Sequence, residues 1–245
     1  MSTPCAHRTV LAMAAACIVW AFLAFPARSG AEIPAGSEWV EPATGMVFVR
    51  VPAGCFTSGC EGSGCPDSAL PAQEVCLDGF WIARHETTQA QWERVMGSNP
   101  ASFRGGRRPV ENVSWREAME FGSRLTELSP AGGSFSLPRG AQWEYACSAG
   151  WSGREPGDFA RLEATVPVDR LEPNAYGVCG MAGNVREWVR DPFKGAEAGE
   201  EAARTVRGDS WMKAPKNPRC TLRLGLSPGV VSNTVGFRLV RVDPP

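Results

Sequence analysis

The cysteines of this chain are well suited to chemistry, because a thiol can form a disulfide, bind a soft metal or act as a nucleophile. Seven of the nine lie beyond the first 31 residues. They are Cys55, Cys60, Cys65, Cys76, Cys147, Cys179 and Cys220. No two have the C-x-x-C spacing of thioredoxin-like or zinc-ribbon sites. In an exported chain the set predicts disulfides, and the odd number leaves one thiol over.

Histidine is scarce, and this excludes several metal sites. The only two histidines are His7, which lies in the N-terminal segment, and His85. A single imidazole cannot build a histidine-rich zinc site or the two-histidine facial triad of non-haem iron. His85 could still act as one base. Its place in A-R-H-E-T-T, between a predicted strand and a turn, favours a packed or surface side chain instead.

The first 31 residues have the features of a secretory signal. Arg8 supplies the positive charge, Val10–Phe25 is apolar, and small residues precede the expected cleavage near Ala31. The apolar run is short for a membrane span. An uncleaved anchor and lipoprotein cleavage at Cys17 are the alternatives. We therefore expect a periplasmic or secreted mature chain, residues 32–245, that forms one domain with a sizeable core.

The charge of the mature chain disfavours nucleic acid and anionic membranes as partners. Loss of Arg8 and Arg28 leaves 23 basic against 26 acidic side chains, a net charge of −3. The sequence has no basic patch and no long run of like charge. Beyond the signal segment we expect no association with a membrane.

Local patterns predict short strands and two or three helices. Strands are predicted at Gly45–Pro52, at Val75–Ala83, near Val206 and at Phe237–Val242. Thr87 or Thr88 can cap a helix that ends near Met96, and Ala141–Ala149 is a third short helix. The second helix follows a capping box at Ser114 and ends near Leu128. Its predicted apolar face is Trp115, Ala118, Phe121, Leu125 and Leu128. Long loops complete an α+β domain that disulfides would hold together.

Several motifs occur in a fixed order over about 200 residues. They are the strand at 46–54 with G-F-W at 79–81, E-T-T-Q at 86–89, P-V-E-N-V-S-W at 109–115, L-P at 137–138, W-E-Y-A at 143–146, G-N-V-R-E-W at 183–188, R-G-D-S-W at 207–211 and G-F-R-L-V at 236–240. The ordered set resembles the formylglycine-generating enzyme family, also called the sulfatase-modifying factor family. The resemblance implies an irregular α+β fold that is distantly related to C-type lectins.

The resemblance also implies that the copper chemistry of this family is missing. Active members carry a cysteine pair in the C-terminal segment that binds copper and oxidises a substrate cysteine. This chain has no cysteine between Ser210 and Arg219, and Lys213 stands near the position of the first one. Copper(I) prefers thiolate ligands, which lysine cannot replace. Copper is therefore not expected as a cofactor, and formylglycine generation would require recruitment of Cys179 or Cys220.

The aligned groove supplies the candidate site residues. Ser210 keeps the position of an active-site serine, and Arg186 stands where active members carry a tryptophan. The full candidate set is Arg186, Ser210, Trp211 and Lys213, with Arg219 and Arg223 nearby. Such a groove would favour an anionic or aromatic ligand. The alternative interpretation is surface charge around one core tryptophan.

A partial calcium site is also implied by the resemblance. The family takes one side-chain oxygen from the residue three positions before the glycine of G-N-V, and that residue is Gly180 here. The carbonyl groups of Gly183 and Val185 and the carboxylate of Glu187 remain as candidate ligands. Calcium usually takes six to eight oxygens, so it is a candidate cofactor for an incomplete site.

The cysteines can be paired on similar grounds. Cys147 and Cys220 fall on two family positions that a disulfide joins. Cys55 and Cys76 lie at the ends of two neighbouring predicted strands and flank a cysteine-rich loop. Pairing these two leaves Cys60 and Cys65 to close a small loop. Cys179 then remains as an inert or reactive thiol.

Two classes of function follow from this interpretation. In the first, the protein acts on a secreted peptide or protein in the inherited groove, as in the peptide maturation that some non-canonical relatives perform. In the second, it is a non-catalytic, lectin-like module that binds a peptide, protein or glycan. The fold alone does not decide between the two classes, so its status as an enzyme stays open.

Overall fold

The structure is a computed structural model. It describes residues 33–63, 65–149, 163–181, 183–196, 199, 201–212 and 220–243. They belong to a compact unit, Ile33–Pro245. The predicted signal segment, Lys213 and Arg219 lie outside the described residues. Among the helices within the described ranges, none combines the length and apolarity needed to cross a bilayer.

The described chain forms three sheets and three α-helices. The strands are β1 (Glu38–Val40), β2 (Val47–Val51), β3 (Gly54–Ser58), β4 (Gln73–Leu77), β5 (Phe80–Ala83), β6 (Ser134–Ser136), β7 (Arg186–Pro192), β8 (Arg204–Arg207), β9 (Arg223–Leu226), β10 (Val235–Phe237) and β11 (Val240–Val242). The helices are α1 (Gln89–Met96), α2 (Trp115–Leu128) and α3 (Gly140–Ser148). The sheet orders are β1-β2-β5-β11-β6, β10-β7-β8-β9 and β3-β4. The predicted α+β fold, with short strands and three helices, is confirmed.

The helices begin where their capping residues predicted. Thr88 and Ser114 each accept a hydrogen bond from the third helical N–H, and Gln91 and Glu117 complete the two capping boxes. Along α2, Ala118, Phe121 and Leu125 are buried as predicted, and Trp115 packs partly against them. Leu128 was wrongly placed on this face. It is the last residue of the helix and is 54% exposed, so the buried face ends one turn earlier.

Two segments predicted as single strands are each divided between two sheets. Val75–Ala83 contains β4, which pairs with β3, and β5, which pairs with β2. The division falls at Gly79, where a Cβ atom would lie 2.7 Å from Nη2 of Arg50. Phe237–Val242 contains only the last residue of β10 and all of β11, and Arg238 and Leu239 separate the two strands. The buried Arg238 side chain donates to the carbonyl groups of Ala83 and Arg84 and to that of Cys179.

The predicted disulfides are present. Cys55 and Cys76 are directly opposite on β3 and β4 and are bonded. Cys147 at the end of α3 is bonded to Cys220, which precedes β9, and Cys60 is bonded to Cys65. Cys179 is free and buried. Burial raises the pKa of its thiol, although Arg84 opposes this, so the thiol form dominates at neutral pH.

The core lies in two clusters. The larger cluster joins α1 and α2 to the sheets, and in it Trp92 stacks on Phe121 with ring centroids 5.5 Å apart. The smaller cluster surrounds Trp143 of α3. The indole N–H of Trp143 donates to Glu187 of β7 at 2.8 Å, which ties α3 to the four-stranded sheet. Both clusters therefore pack on β7, through Trp188 and Val189, and the larger one also packs on β8 through Val206.

Candidate functional site

The candidate site is built by the turn that follows β8. Gly208 in this turn has φ +75, and a Cβ there would lie 3.2 Å from the ring of Trp143. Both the left-handed backbone and the close approach therefore require glycine. The turn places Asp209, Ser210 and Trp211 beside the start of β7, because Glu187 of β7 is opposite Arg207 of β8.

Trp211 is held in one orientation from three directions. Its backbone N–H donates to the carbonyl of Asn184 at 2.8 Å, and its indole N–H donates to the carbonyl of Asn233 at 2.9 Å. Phe103 meets its ring edge-on, with centroids 5.0 Å apart. The side chain remains partly exposed. Trp211 is thus a fixed aromatic wall rather than a mobile surface residue.

Three polar groups next to Trp211 are nearly buried and have free hydrogen-bonding capacity. Arg186 and Asp209 are 3.7 Å apart, with side chains 16% and 11% exposed. Within the described part of the chain, Nε of Arg186, Oδ1 of Asp209 and Oγ of Ser210 have no hydrogen-bond partner. Buried polar atoms in native proteins are almost always paired with protein, water or ligand. These three atoms are themselves buried, so a ligand or a water molecule would reach them only after a small movement of the side chains around them.

The structure brings together three of the four predicted site residues. Arg186, Ser210 and Trp211 belong to this group, and Lys213 lies outside the described residues. Arg223 does not belong to it, because it lies on β9 and donates to Glu144 at 3.1 Å. Sequence reasoning missed Asp209, although the acid stands in the variable position of R-G-D-S-W. It also missed Phe103, which no sequence signal places near Trp211.

The candidate calcium ligands lie in a region that is already hydrogen-bonded. Both carboxylate oxygens of Glu187 accept from Arg238, at 2.7 and 2.8 Å, and Trp143 donates to one of them as well. A calcium ion at Glu187 would have to displace the guanidinium group. Among the described residues, no cluster of three or more His, Cys, Asp or Glu could hold a metal ion. The calcium site at Gly183, Val185 and Glu187 stays a prediction.

A buried carboxyl group lies where the missing calcium side chain would be. A Cβ on Gly180 would lie 2.6 Å from Oε2 of Glu86. Glu86 is buried, and neither of its oxygens has a hydrogen-bond partner in the described chain. Burial raises the pKa of Glu86 to about 8, with Arg238 opposing and Glu187 adding to the rise. Glu86 is therefore mostly protonated at neutral pH.

His85, the one histidine among the described residues, makes no hydrogen bond to Oγ of Ser210. His85 lines a cavity of about 370 Å³ next to the first turn of α1, together with Arg94. Burial and the charges of Arg238 and Arg84 lower the pKa of His85 to about 4. The imidazole is therefore neutral at pH 7. Since Oγ of Ser210 has no hydrogen bond to a base among the described residues, the geometry offers no activated serine.

Comparison with known proteins identifies the family. The sequence profile described as "Sulfatase-modifying factor enzyme 1-like domain" matches residues 36–242. The chain belongs to this family.

Two relatives and one solved structure are similar to this chain. It is 26% identical to the "Chaperone protein LppX" of Paenibacillus barcinonensis over 69% of this chain and 82% of that protein. It is 29% identical to the "Inactive C-alpha-formylglycine-generating enzyme 2" of Bos taurus over 60% of this chain and 56% of that protein. The chain thus spans about half the length of the bovine relative. The structure of PvdO from Pseudomonas aeruginosa aligns over 86% of this chain and 99% of its own, with a TM-score of 0.73 and 24% sequence identity. This similarity shows a shared fold.

Proposed function

We propose that this family member binds a polypeptide segment in the groove formed by Arg186, Asp209, Ser210 and Trp211, and that it does not oxidise cysteine. One observation carries the proposal, namely a fixed, partly exposed tryptophan beside polar side chains that have unpaired atoms among the described residues. A peptide backbone offers N–H groups for Asp209 and carbonyl groups for Arg186, whose side chains are 11% and 16% exposed. The aromatic wall would pack against an adjacent side chain of the peptide.

The absence of catalysis rests on the sequence of the loop beyond Trp211. Residues 208–219 contain no cysteine, so the thiolate pair that copper(I) chemistry requires is missing. The names of two relatives support the proposal, since one is called a chaperone and the other is called inactive. A reaction of a different kind in the same groove would need an activated group, and the described residues of the groove include no histidine.

We further propose that the protein acts outside the cytoplasm. Three disulfides in a chain of this size support export, because such bonds form and persist in oxidising compartments. Cleavage near Ala31 would release the mature chain. The partner would then be a secreted or periplasmic peptide or protein, with a glycan as the alternative ligand.

The groove can be tested with a displayed library of random 12-residue peptides and an immobilised glycan array. Selection on the mature protein should enrich peptides with micromolar affinity. Trp211→Ala should weaken their binding about tenfold or more, because a buried aromatic contact is often an energetic hot spot. Arg186→Gln should weaken it by a smaller factor. Binding is measured by fluorescence anisotropy of the selected peptides.

The matched control is Arg94→Gln, which removes an exposed arginine of α1. This variant should bind the selected peptides like the wild type. Near-ultraviolet circular dichroism of Trp211→Ala and Trp211→Phe checks that the fold is kept. Peptides that bind Trp211→Ala as tightly as the wild type would contradict the proposed groove. Binding to glycans without any peptide enrichment would favour the lectin-like alternative.

A further inference from the structure

A separate cavity of about 190 Å³ lies between α3, the β3-β4 pair and the strands β7 to β9. It is lined by Arg207 and Arg223, by Lys194 and Asp191, and by Gln73 and Phe193. The first residues of α3, Gly140 and Ala141, form one wall. None of the groove residues Arg186, Asp209, Ser210 and Trp211 lines it. Its chemistry is therefore not used by the proposed peptide groove.

Glu144 lies behind the cavity lining, and both of its carboxylate oxygens accept hydrogen bonds. Oε2 of Glu144 accepts from Ser58 at 3.0 Å, from Arg207 at 2.6 Å and from Arg223 at 3.1 Å. Its Oε1 accepts from the N–H of Gly59 at 2.6 Å. Burial alone would raise the pKa of Glu144, but Arg207, Gly59 and Arg223 together lower it. Glu144 is therefore ionised and neutralises only one of the two arginines.

The remaining charges leave the cavity positive. Lys194 donates to the carbonyl of Leu70 at 2.8 Å. Asp191 accepts from the N–H of Gly140 at the start of α3. The lining and its neighbour Glu144 thus hold three cations, Arg207, Arg223 and Lys194, against two carboxylates. The surplus is one positive charge, which a single negative charge on a ligand would balance.

One of these cations has an unused hydrogen-bond donor inside the protein. The side chain of Arg207 is 1% exposed, and its Nη2 donates to Glu144 and to the carbonyl of Gly140. Its Nε has no partner within the described residues. A buried donor without an acceptor is costly, and for a charged group the cost is larger. Because this Nε is itself buried, a ligand in the cavity would instead contact Arg223, whose side chain is 23% exposed, and the exposed Lys194.

We propose that this cavity binds a carboxylate group carried by a polypeptide, either its C-terminus or an acidic side chain. A planar carboxylate matches the fork of N–H donors on a guanidinium group. A doubly charged phosphate would exceed the surplus of one charge, and Asp191 would repel it more strongly than a singly charged carboxylate. The proposal goes beyond the peptide groove, and neither site requires the other. A partner polypeptide could engage both sites, but each can be tested alone.

The probes are N-acetylglycine, which mimics a chain terminus, and N-acetylaspartic acid α-amide, which mimics a side chain. Binding to the mature protein is followed by nitrogen-15 NMR of the arginine Nε–H signals. We expect at least one of the two carboxylates to give a saturable shift, with a dissociation constant in the millimolar range. The compound that binds more tightly shows whether the cavity prefers a chain terminus or an acidic side chain. N-acetylglycinamide, which is neutral, should give no saturable shift, and inorganic phosphate should bind more weakly.

Variants link the response to the cavity. Arg223→Gln and Lys194→Gln should each raise the dissociation constant about fivefold or more, since each removes one cation that would face the ligand. Arg94→Gln, on the exposed face of α1, should leave it unchanged. If Arg223→Gln does not fold, Lys194→Gln decides, because Lys194 is exposed at the rim. The proposal would be overturned if neither carboxylate gave a saturable shift, or if the neutral amide bound equally well. It would also be overturned if phosphate bound more tightly, or if the folded variants bound the carboxylate like the wild type.

Discussion

Replacing both Cys147 and Cys220 by serine should lower the free energy of unfolding by about 4 kcal/mol. The two cysteines are 73 residues apart in the sequence, so their disulfide closes a long loop in the unfolded chain. A cross-link of this length removes much of the conformational entropy of the unfolded state. In the folded state the same bond ties the end of α3 to the chain that enters β9. Urea unfolding followed by tryptophan fluorescence measures the effect.

The other two disulfides provide matched controls. Cys55 and Cys76 are 21 residues apart and Cys60 and Cys65 are 5 apart, so their paired serine variants should cost about 3 and about 2 kcal/mol. The expected order of destabilisation follows loop length. A reversed order would show that native packing, and not the unfolded chain, sets the contribution of each bond. Peptide mapping that finds Cys220 as a free thiol in the mature protein would contradict the bond itself.

The stability of the protein should fall by about 1.5 kcal/mol between pH 6.5 and pH 8 because of Glu86. Its pKa is about 8 in the folded protein, above the value of 4.5 for an accessible glutamate. The folded state therefore holds a proton that the unfolded chain has released. The stability from this proton is fully present below pH 4.5 and is lost as the pH rises to 8.

His85 changes the free energy of unfolding in the opposite direction, and it does so at lower pH. The pKa of His85 is about 4 in the folded protein, below the ordinary value of 6.5. Its contribution to the stability of the folded state is therefore present above pH 6.5 and is lost as the pH falls towards 4. Between pH 4.5 and 6.5 the opposite effects of Glu86 and His85 on stability therefore largely cancel. Above pH 6.5 Glu86 dominates, and this range gives the cleaner measurement.

Glu86→Gln isolates the effect, because glutamine keeps the shape of the side chain without its charge. Between pH 6.5 and 8 the free energy of unfolding should fall by about 1.5 kcal/mol more in the wild type than in this variant. Glu93→Gln on the exposed face of α1 is the matched control and should follow the wild type. Urea unfolding at half-unit pH steps provides the comparison. Parallel curves for wild type and Glu86→Gln above pH 6.5 would contradict the buried, protonated carboxyl group.

The features that the sequence predicted well are those that local chemistry determines. The capping boxes at Thr88 and Ser114 use hydrogen bonds within three residues, so the starts of α1 and α2 follow from the sequence. The Cys55–Cys76 disulfide was predicted from the strands at 45–52 and 75–83, whereas the two cysteines face each other across β3 and β4, and β3 was not predicted. The family motifs supplied the Cys147–Cys220 disulfide and three of the site residues.

The features that the sequence did not predict depend on contacts between distant segments. The break near Gly79 separates β4, which pairs with β3, from β5, which pairs with β2. The break at Arg238 accompanies a fully buried guanidinium group. Alternation of apolar residues carries no signal for either break. The burial of Glu86 against Gly180 is likewise a tertiary effect. For the same reason Arg223 was assigned to the groove, although it pairs with Glu144 instead.

We expect the protein to keep the family scaffold without oxidising cysteine, and an aldehyde assay tests this expectation. The mature protein is incubated with copper(I), oxygen and a cysteine peptide that carries the sulfatase modification motif, with an active formylglycine-generating enzyme as the positive control. Mass spectrometry should find no aldehyde above a reaction with copper alone, because residues 208–219 supply no thiolate. Formation of formylglycine above that background would contradict the account, and Cys179→Ser would then show whether its thiol had been recruited.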